Sequence, residues 1–169
     1  MNIKDEYIEK TKEYLDDLRK KINKKTMLKE EIKLLQEEIK TLKSRQRVNG
    51  SINFEKELGI KSNSGAKGID DLIVTTDAQI CCKESLIENK YSQIERIEHD
   101  IKMFELRIRE LTEIEKEVIN ARYFDKTKNK SFRSISKKIN YAKSYVARVH
   151  DDAIKELAYF VYGEDATYA

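Results

Sequence analysis

Isoleucine recurs every seven residues at Ile80, Ile87, Ile94, Ile101 and Ile108, and Ile97, Phe104 and Leu111 fill intervening positions. Apolar residues in alternating steps of four and three put one stripe along a helix, and that stripe is buried only against another helix. The same pattern appears earlier, at Leu28, Ile32, Leu35, Ile39 and Leu42. Upstream it continues more loosely through Tyr7, Thr11, Tyr14, Leu18 and Ile22, with a phase slip around Asn23 to Thr26. Residues 1–47 are therefore expected to form one long helix, roughly 70 Å at 1.5 Å per residue. Residues 77–111 are expected to form a second, with Thr75, Thr76 or Asp77 as its cap. A chain with 38% charged and 39% hydrophobic residues and no proline suits such helices. The two arms fit an antiparallel hairpin, and each seam equally fits a second chain in a homodimer. The fold class is all-α: a long helical hairpin or coiled coil followed by a small C-terminal helix-turn-helix domain.

Between the seams, residues 48–76 hold four of the five glycines (Gly50, Gly59, Gly65 and Gly68) among Asn and Ser, which reads as a flexible linker. Its stretch GIKSNSGAKG superficially suggests a phosphate-binding loop. However, five residues separate Gly59 from Gly65, and Ala66 stands where the lysine should follow.

Other classes fall away on similar grounds. No run approaches the 18 or so apolar residues of a membrane span, and the N-terminus lacks the apolar core of a signal peptide, so a cytoplasmic protein with no membrane partner is expected. Cys81 and Cys82 are neighbours, a spacing that disfavours a disulfide between them and matches no zinc pattern; reduced, half-buried thiols are expected. His99 and His150 have no Cys or His at ligand spacing, so no metal and no cofactor is expected. No Ser-His-Asp or Cys-His grouping is evident, and the chain does not read as an enzyme.

The last third carries the chemistry. Lys126 to His150 contains eight Lys or Arg and no Asp or Glu, so within a total of +3 the remaining residues carry a net −5. In LTEIEKEVINARYF, Thr112 and Glu115 form a capping box that opens a helix with Val118, Ile119, Tyr123 and Phe124 as its apolar residues. DKTKNK breaks the pattern. Ser131 then caps a short helix with Phe132, Ile135 and Ile139 on its apolar face, NYAK turns, and a helix from Lys143 or Ser144 buries Val146, Val149, Ala153 and Leu157. Tyr145, Ala147, Arg148 and Asp151 fall on the opposite side. Residues 112–162 thus read as a helix-turn-helix domain, with 163–169 as a tail.

A helix fits the major groove of double-stranded DNA with its N-terminal residues near base edges, while the helix before it braces on the backbone. Arg148 is the candidate base reader, because its planar fork bonds both acceptors of guanine. Lys143, Ser144 and Tyr145, at the helix start, are candidates for phosphate or base contact. Lys130, Arg133, Lys137 and Lys138 suit phosphates. The bland alternative is a solvated charge run on a small helical domain. His150 is expected to pack or bond locally.

The ordered set LTEIEKEVINARYF, SFRSISKKIN and SYVARVHDDAIKEL resembles region 4 of bacterial sigma factors over residues 111–160, with Val146, Val149, His150, Ala153 and Leu157 matching that pattern. There are two departures. Asn140 replaces the usual glycine of the turn, and nothing in residues 1–110 resembles the promoter-melting region 2, so a complete sigma factor is not expected. A helical N-terminal half before such an end is similar to the ArpU and RinA type late-gene regulators of phages and prophages. The resemblance implies a DNA-binding transcription regulator that also touches RNA polymerase. Two alternatives stand beside it: a phage packaging protein similar to a small terminase subunit, which would form a many-membered ring, and an adaptor whose basic helices dock on an acidic protein.

Overall fold

The structure, a computed structural model, describes residues 2–56, 69–125 and 131–168, with side chains described for 2–46, 73–125 and 131–168. Helices α1 (Asp5–Lys56) and α2 (Ile69–Ile108) are followed by α3 (Glu113–Ile119), a π-helical turn (Asn120–Phe124), α4 (Phe132–Ile139), α5 (Lys143–Tyr162) and a 3-10 turn (Gly163–Ala166). Among the described residues the extended pairing is one isolated bridge, Ile3 with Thr167. The fold is all-α. It divides into two compact units, Lys25–Arg96 and Met1–Lys24 with Ile97–Ala169, so α1 and α2 each contribute to both.

In the Lys25–Arg96 unit, Leu28, Ile32, Ile39, Ile80 and Ile94 are buried, and Leu35, Leu42 and Ile87 are half-buried. The seams face each other within one chain. Glu31 pairs with Lys90, and seven residues further along α1 Glu38 pairs with Lys83 at 2.5 Å, seven residues back along α2, so the helices run antiparallel. Lys43–Glu84 at 3.4 Å and Gln46–Asp77 at 2.8 Å extend the same order. Lys83 and Lys90 occupy seam positions between Ile80, Ile87 and Ile94, and each retains about a quarter of its side-chain exposure, 27% and 23%. Their methylene stems cover the stripe while the ammonium groups reach acids on the facing helix. Burying one Leu or Ile contributes about 1.5–3 kcal/mol, whereas an exposed ion pair contributes about 0–1 kcal/mol. The apolar stripe therefore holds the hairpin, and the charges set its register.

Several boundaries differ from the sequence expectation. Helix α1 continues past Arg47, through Gly50, to Lys56, and α2 begins at Ile69, inside the stretch 48–76 read as linker. One glycine costs a helix only about 1 kcal/mol relative to alanine, less than the cost of nucleating a new one. Thr75, Thr76 and Asp77 lie within α2 rather than capping it, because a cap preference does not oblige a helix to begin there. The GIKSNSGAKG stretch lies outside the described residues. Cys81 and Cys82 are free and exposed, not half-buried, since they follow the seam residue Ile80 and so point away from the facing helix.

On α1 the units divide where the seam slips, with Ile22, Lys25 and Leu28 following at successive steps of three, an interruption that locally overwinds a coiled coil. In the Met1–Lys24 and Ile97–Ala169 unit, Leu15 and Leu18 of α1 join Phe104 of α2, Leu111, Ile119, Tyr123, and Ala153, Ile154 and Leu157 of α5 in one core. A second cluster, Val118, Ala121, Ile135, Ile139, Val146 and Val149, joins α3, α4 and α5. The segment 112–162 is therefore not closed on itself, because its helices share a core with the first turns of α1 and the end of α2. The stretch 163–169 is not a free tail over its described residues. Gly163, at φ +64, turns the chain out of α5, Ala166 is fully buried with Ile3 and Ala158, and Ala166 and Asn2 carbonyls accept from Lys4 (2.9 Å) and Tyr168 (3.2 Å) amides. Tyr7 and Tyr162 pack with ring centroids 5.0 Å apart.

Candidate nucleic-acid interface

The capping box at the start of α3 forms as its spacing predicts: the Thr112 amide donates to Glu115 Oε2 at 2.8 Å, and Thr112 Oγ1 accepts from the Glu115 amide at 3.4 Å. The chain then widens into the π-helical turn, closed by the Asp125 amide donating to the Asn120 carbonyl at 2.9 Å. Ser131 Oγ caps α4 by accepting from the Ser134 amide at 3.2 Å. Asn140 ends α4 in the left-handed region, φ 58 and ψ 37, a conformation asparagine tolerates better than most residues. The Tyr141 amide reaches back to the Ser136 carbonyl at 3.1 Å, so the turn closes in the Schellman manner. Three residues, Asn140 to Ala142, separate α4 from α5, and Ile135 and Ile139 pack against Val146 and Val149 across them. This is a helix-turn-helix with the tight turn expected from NYAK.

Ala142 precedes α5 without a side-chain cap, and the first turn of α5 carries no acid. A helix start leaves amide donors and a partial positive charge, a setting that favours anions; Lys143 there opposes the helix dipole unless an anion arrives. Lys143, Ser144 and Arg148 are exposed and Tyr145 is half-buried. The Arg148 guanidinium lies 5.5 Å from the centre of the Tyr145 ring. Among the described residues no acid lies within ion-pair distance of Arg148, Lys143, Arg133 or Lys137, and the last two lie four apart on one exposed face of α4. Lys138 pairs with Asp125 at 2.5 Å while its side chain stays exposed. Lys130 lies outside the described residues. Sequence reasoning missed Tyr141, which is 44% exposed, with its ring 5.2 Å from Tyr145; the tyrosine-to-tyrosine step of four was the available signal.

Behind this face His150 is buried. It packs against Tyr123 with near-parallel rings and against the edge of Phe132, the centroids 5.9 and 5.1 Å away. With the Nδ1–H donating to Asp151 at 3.1 Å, Nε2 accepts from the Tyr123 hydroxyl at 3.2 Å. Burial holds the His150 imidazole below its usual pKa against the opposing pull of Asp151, and burial pushes the Tyr123 phenol up to about 12. Both groups are neutral at pH 7 and brace the domain core. A groove of about 720 Å³ beside α3 and the π-turn is lined by Glu113, Glu117, Asn120, Phe124 and Asp125, with Lys116 and Lys138 also present. Its acids oppose a phosphate backbone there, whereas the first turn of α5 carries no acid, and Glu115 and Asp152 join Arg148 and Tyr145 only along the groove toward α3. Among the described residues no group of three His, Cys, Asp or Glu is placed to hold a metal, and no helix is long and apolar enough to cross a membrane.

Comparison of the chain with protein-family models, with curated proteins and with solved structures finds no match in any of the three.

Proposed function

We propose that this chain is a sequence-specific DNA-binding transcription regulator of the phage or prophage late-gene kind, with α5 entering the major groove of double-stranded DNA. The observation that carries the reading is the uncapped start of α5, flanked by exposed Lys143 and Arg148, which have no acidic partner among the described residues, and preceded by a tight turn from α4. Arg148 reads a guanine through its two acceptors. Lys143 and the α5 amides, with Arg133 and Lys137, hold phosphates and fix the register. Contact with RNA polymerase belongs to the same reading. Because the heptad seams are satisfied within the hairpin, the regulator acts as a monomer or as a dimer formed through another surface.

The test is size-exclusion chromatography with light scattering, with and without duplex DNA at low and moderate salt, followed by selection of a site from random duplexes. A monomer or dimer that shifts onto DNA, is released by salt and selects one sequence supports the reading. A many-membered ring would replace it with DNA packaging. No shift even at low salt would leave an adaptor for an acidic protein. On the selected site Arg148→Ala costs about 1–3 kcal/mol and relaxes one position, whereas Lys137→Ala weakens all sequences alike and lowers the salt slope by about one unit.

A further inference from the structure

The exposed start of α5 has more order than a row of cations requires. Tyr145 and Arg148 lie three apart on one face of α5, Tyr141 stands in the turn before it, and the three touch in series: ring to ring at 5.2 Å, then ring to guanidinium at 5.5 Å. Each member is fixed from below. The left-handed Asn140 and the amide bond of Tyr141 to the Ser136 carbonyl set the backbone of the first ring. Tyr145 is half-buried and packs on the cluster built from Val118, Ile139, Val146 and Val149. Arg148, exposed and without an acidic partner among the described residues, has the face of Tyr145 as its neighbour.

A solvated arginine samples many rotamers, and ordering it on a base costs affinity. A guanidinium resting on an aromatic face has already lost part of that freedom while keeping its donors available. We infer that Tyr145 is a positioning residue for base reading, holding Arg148 in the geometry that meets guanine, with Tyr141 buttressing the Tyr145 ring. The inference rests on the DNA-binding reading above. It assigns specificity to a side chain whose phenol makes no base contact of its own.

The test is site selection followed by competition binding with the whole chain. Arg148→Ala first identifies the base pair that Arg148 reads. Tyr145→Leu keeps an apolar side chain on the core and removes the aromatic face. Preference at that base pair should then fall about two- to fivefold, the factor that corresponds to an exposed cation–π contact. Any loss on random duplex should be smaller than the loss of preference at that base pair. Tyr145→Phe should restore the preference, because the hydroxyl takes no part. In an Arg148→Ala background, Tyr145→Leu should add no further loss of preference, an outcome that a folding defect would not reproduce. Unchanged preference in Tyr145→Leu, or an equal loss on all sequences, overturns the inference while leaving the regulator standing. If the parent selects no sequence at all, the functional reading fails, and this inference fails with it.

Discussion

Residues 25–96 bury Leu and Ile at regular intervals along two helices, whereas the buried residues of the other unit converge from α1, α2, α3, the π-turn, α4, α5 and the chain end. The first arrangement is one-dimensional, and each layer needs only its neighbours. In the second, Leu18, Ile119, Tyr123 and Leu157 meet in a single core, and each supports segments distant in sequence. A periodic seam spreads stability thinly and tolerates local opening, while a convergent core concentrates it and holds a surface still. The candidate reading face belongs to the convergent unit, as positioning side chains for base contact requires.

The comparison is broken most severely by Ile94→Asp, which buries an unpaired charge in the seam at a cost of several kcal/mol. Hydrogen exchange should lose protection across the hairpin while the amides of α3 to α5 stay protected and DNA still shifts. Loss of protection throughout the chain would show that the two units unfold as one. Next in size is Leu157→Ala. It empties a fully buried position where α1, α2 and α5 meet, costs about 2–5 kcal/mol by denaturant unfolding and weakens DNA binding.

A smaller effect comes from acid. His150 has its pKa lowered by burial, so the unfolded chain binds the extra proton more readily than the folded one. The His150 contribution is complete above the ordinary histidine pKa of about 6.5 and is lost as pH falls below it toward the folded value, beyond which the loss is complete. Comparing unfolding midpoints of the parent and His150→Gln across that window should show a shallower decline in the variant. The smallest change, Asn140→Gly, relieves the left-handed residue of the turn and stabilises the convergent unit by up to about 1 kcal/mol. A destabilised Asn140→Gly protein would mean that the asparagine side chain contributes to the turn beyond tolerating it.

The seams were legible because burial repeats with the sequence period, and the turn was legible because asparagine accepts a left-handed backbone. What escaped was hidden by chemistry or by phase. Lys83 and Lys90 are charged, so a search for apolar residues passes over them, although their stems lie in the stripe. Leu15 and Ile154 are fully buried, yet they fall beside the tracked spacing, where partners from distant segments meet them. The chain end looked like a tail because its pairing with residues 2–4 joins segments at opposite ends of the sequence, which no local pattern records. For the site, residue types and order pointed to the start of α5. The Tyr145 contact with Arg148 and the Asp125 claim on Lys138 required coordinates.

The two half-buried lysines of α2 also decide which helix that stripe accepts. Against α1 each finds a glutamate. Against another copy of α2 the same positions would place ammonium groups in a seam that supplies no acid at the matching heptad sites, and the like charges would repel. The arm thus carries its own rule of exclusion: the residues that interrupt its apolar stripe discourage two such proteins from exchanging partners when they are crowded together.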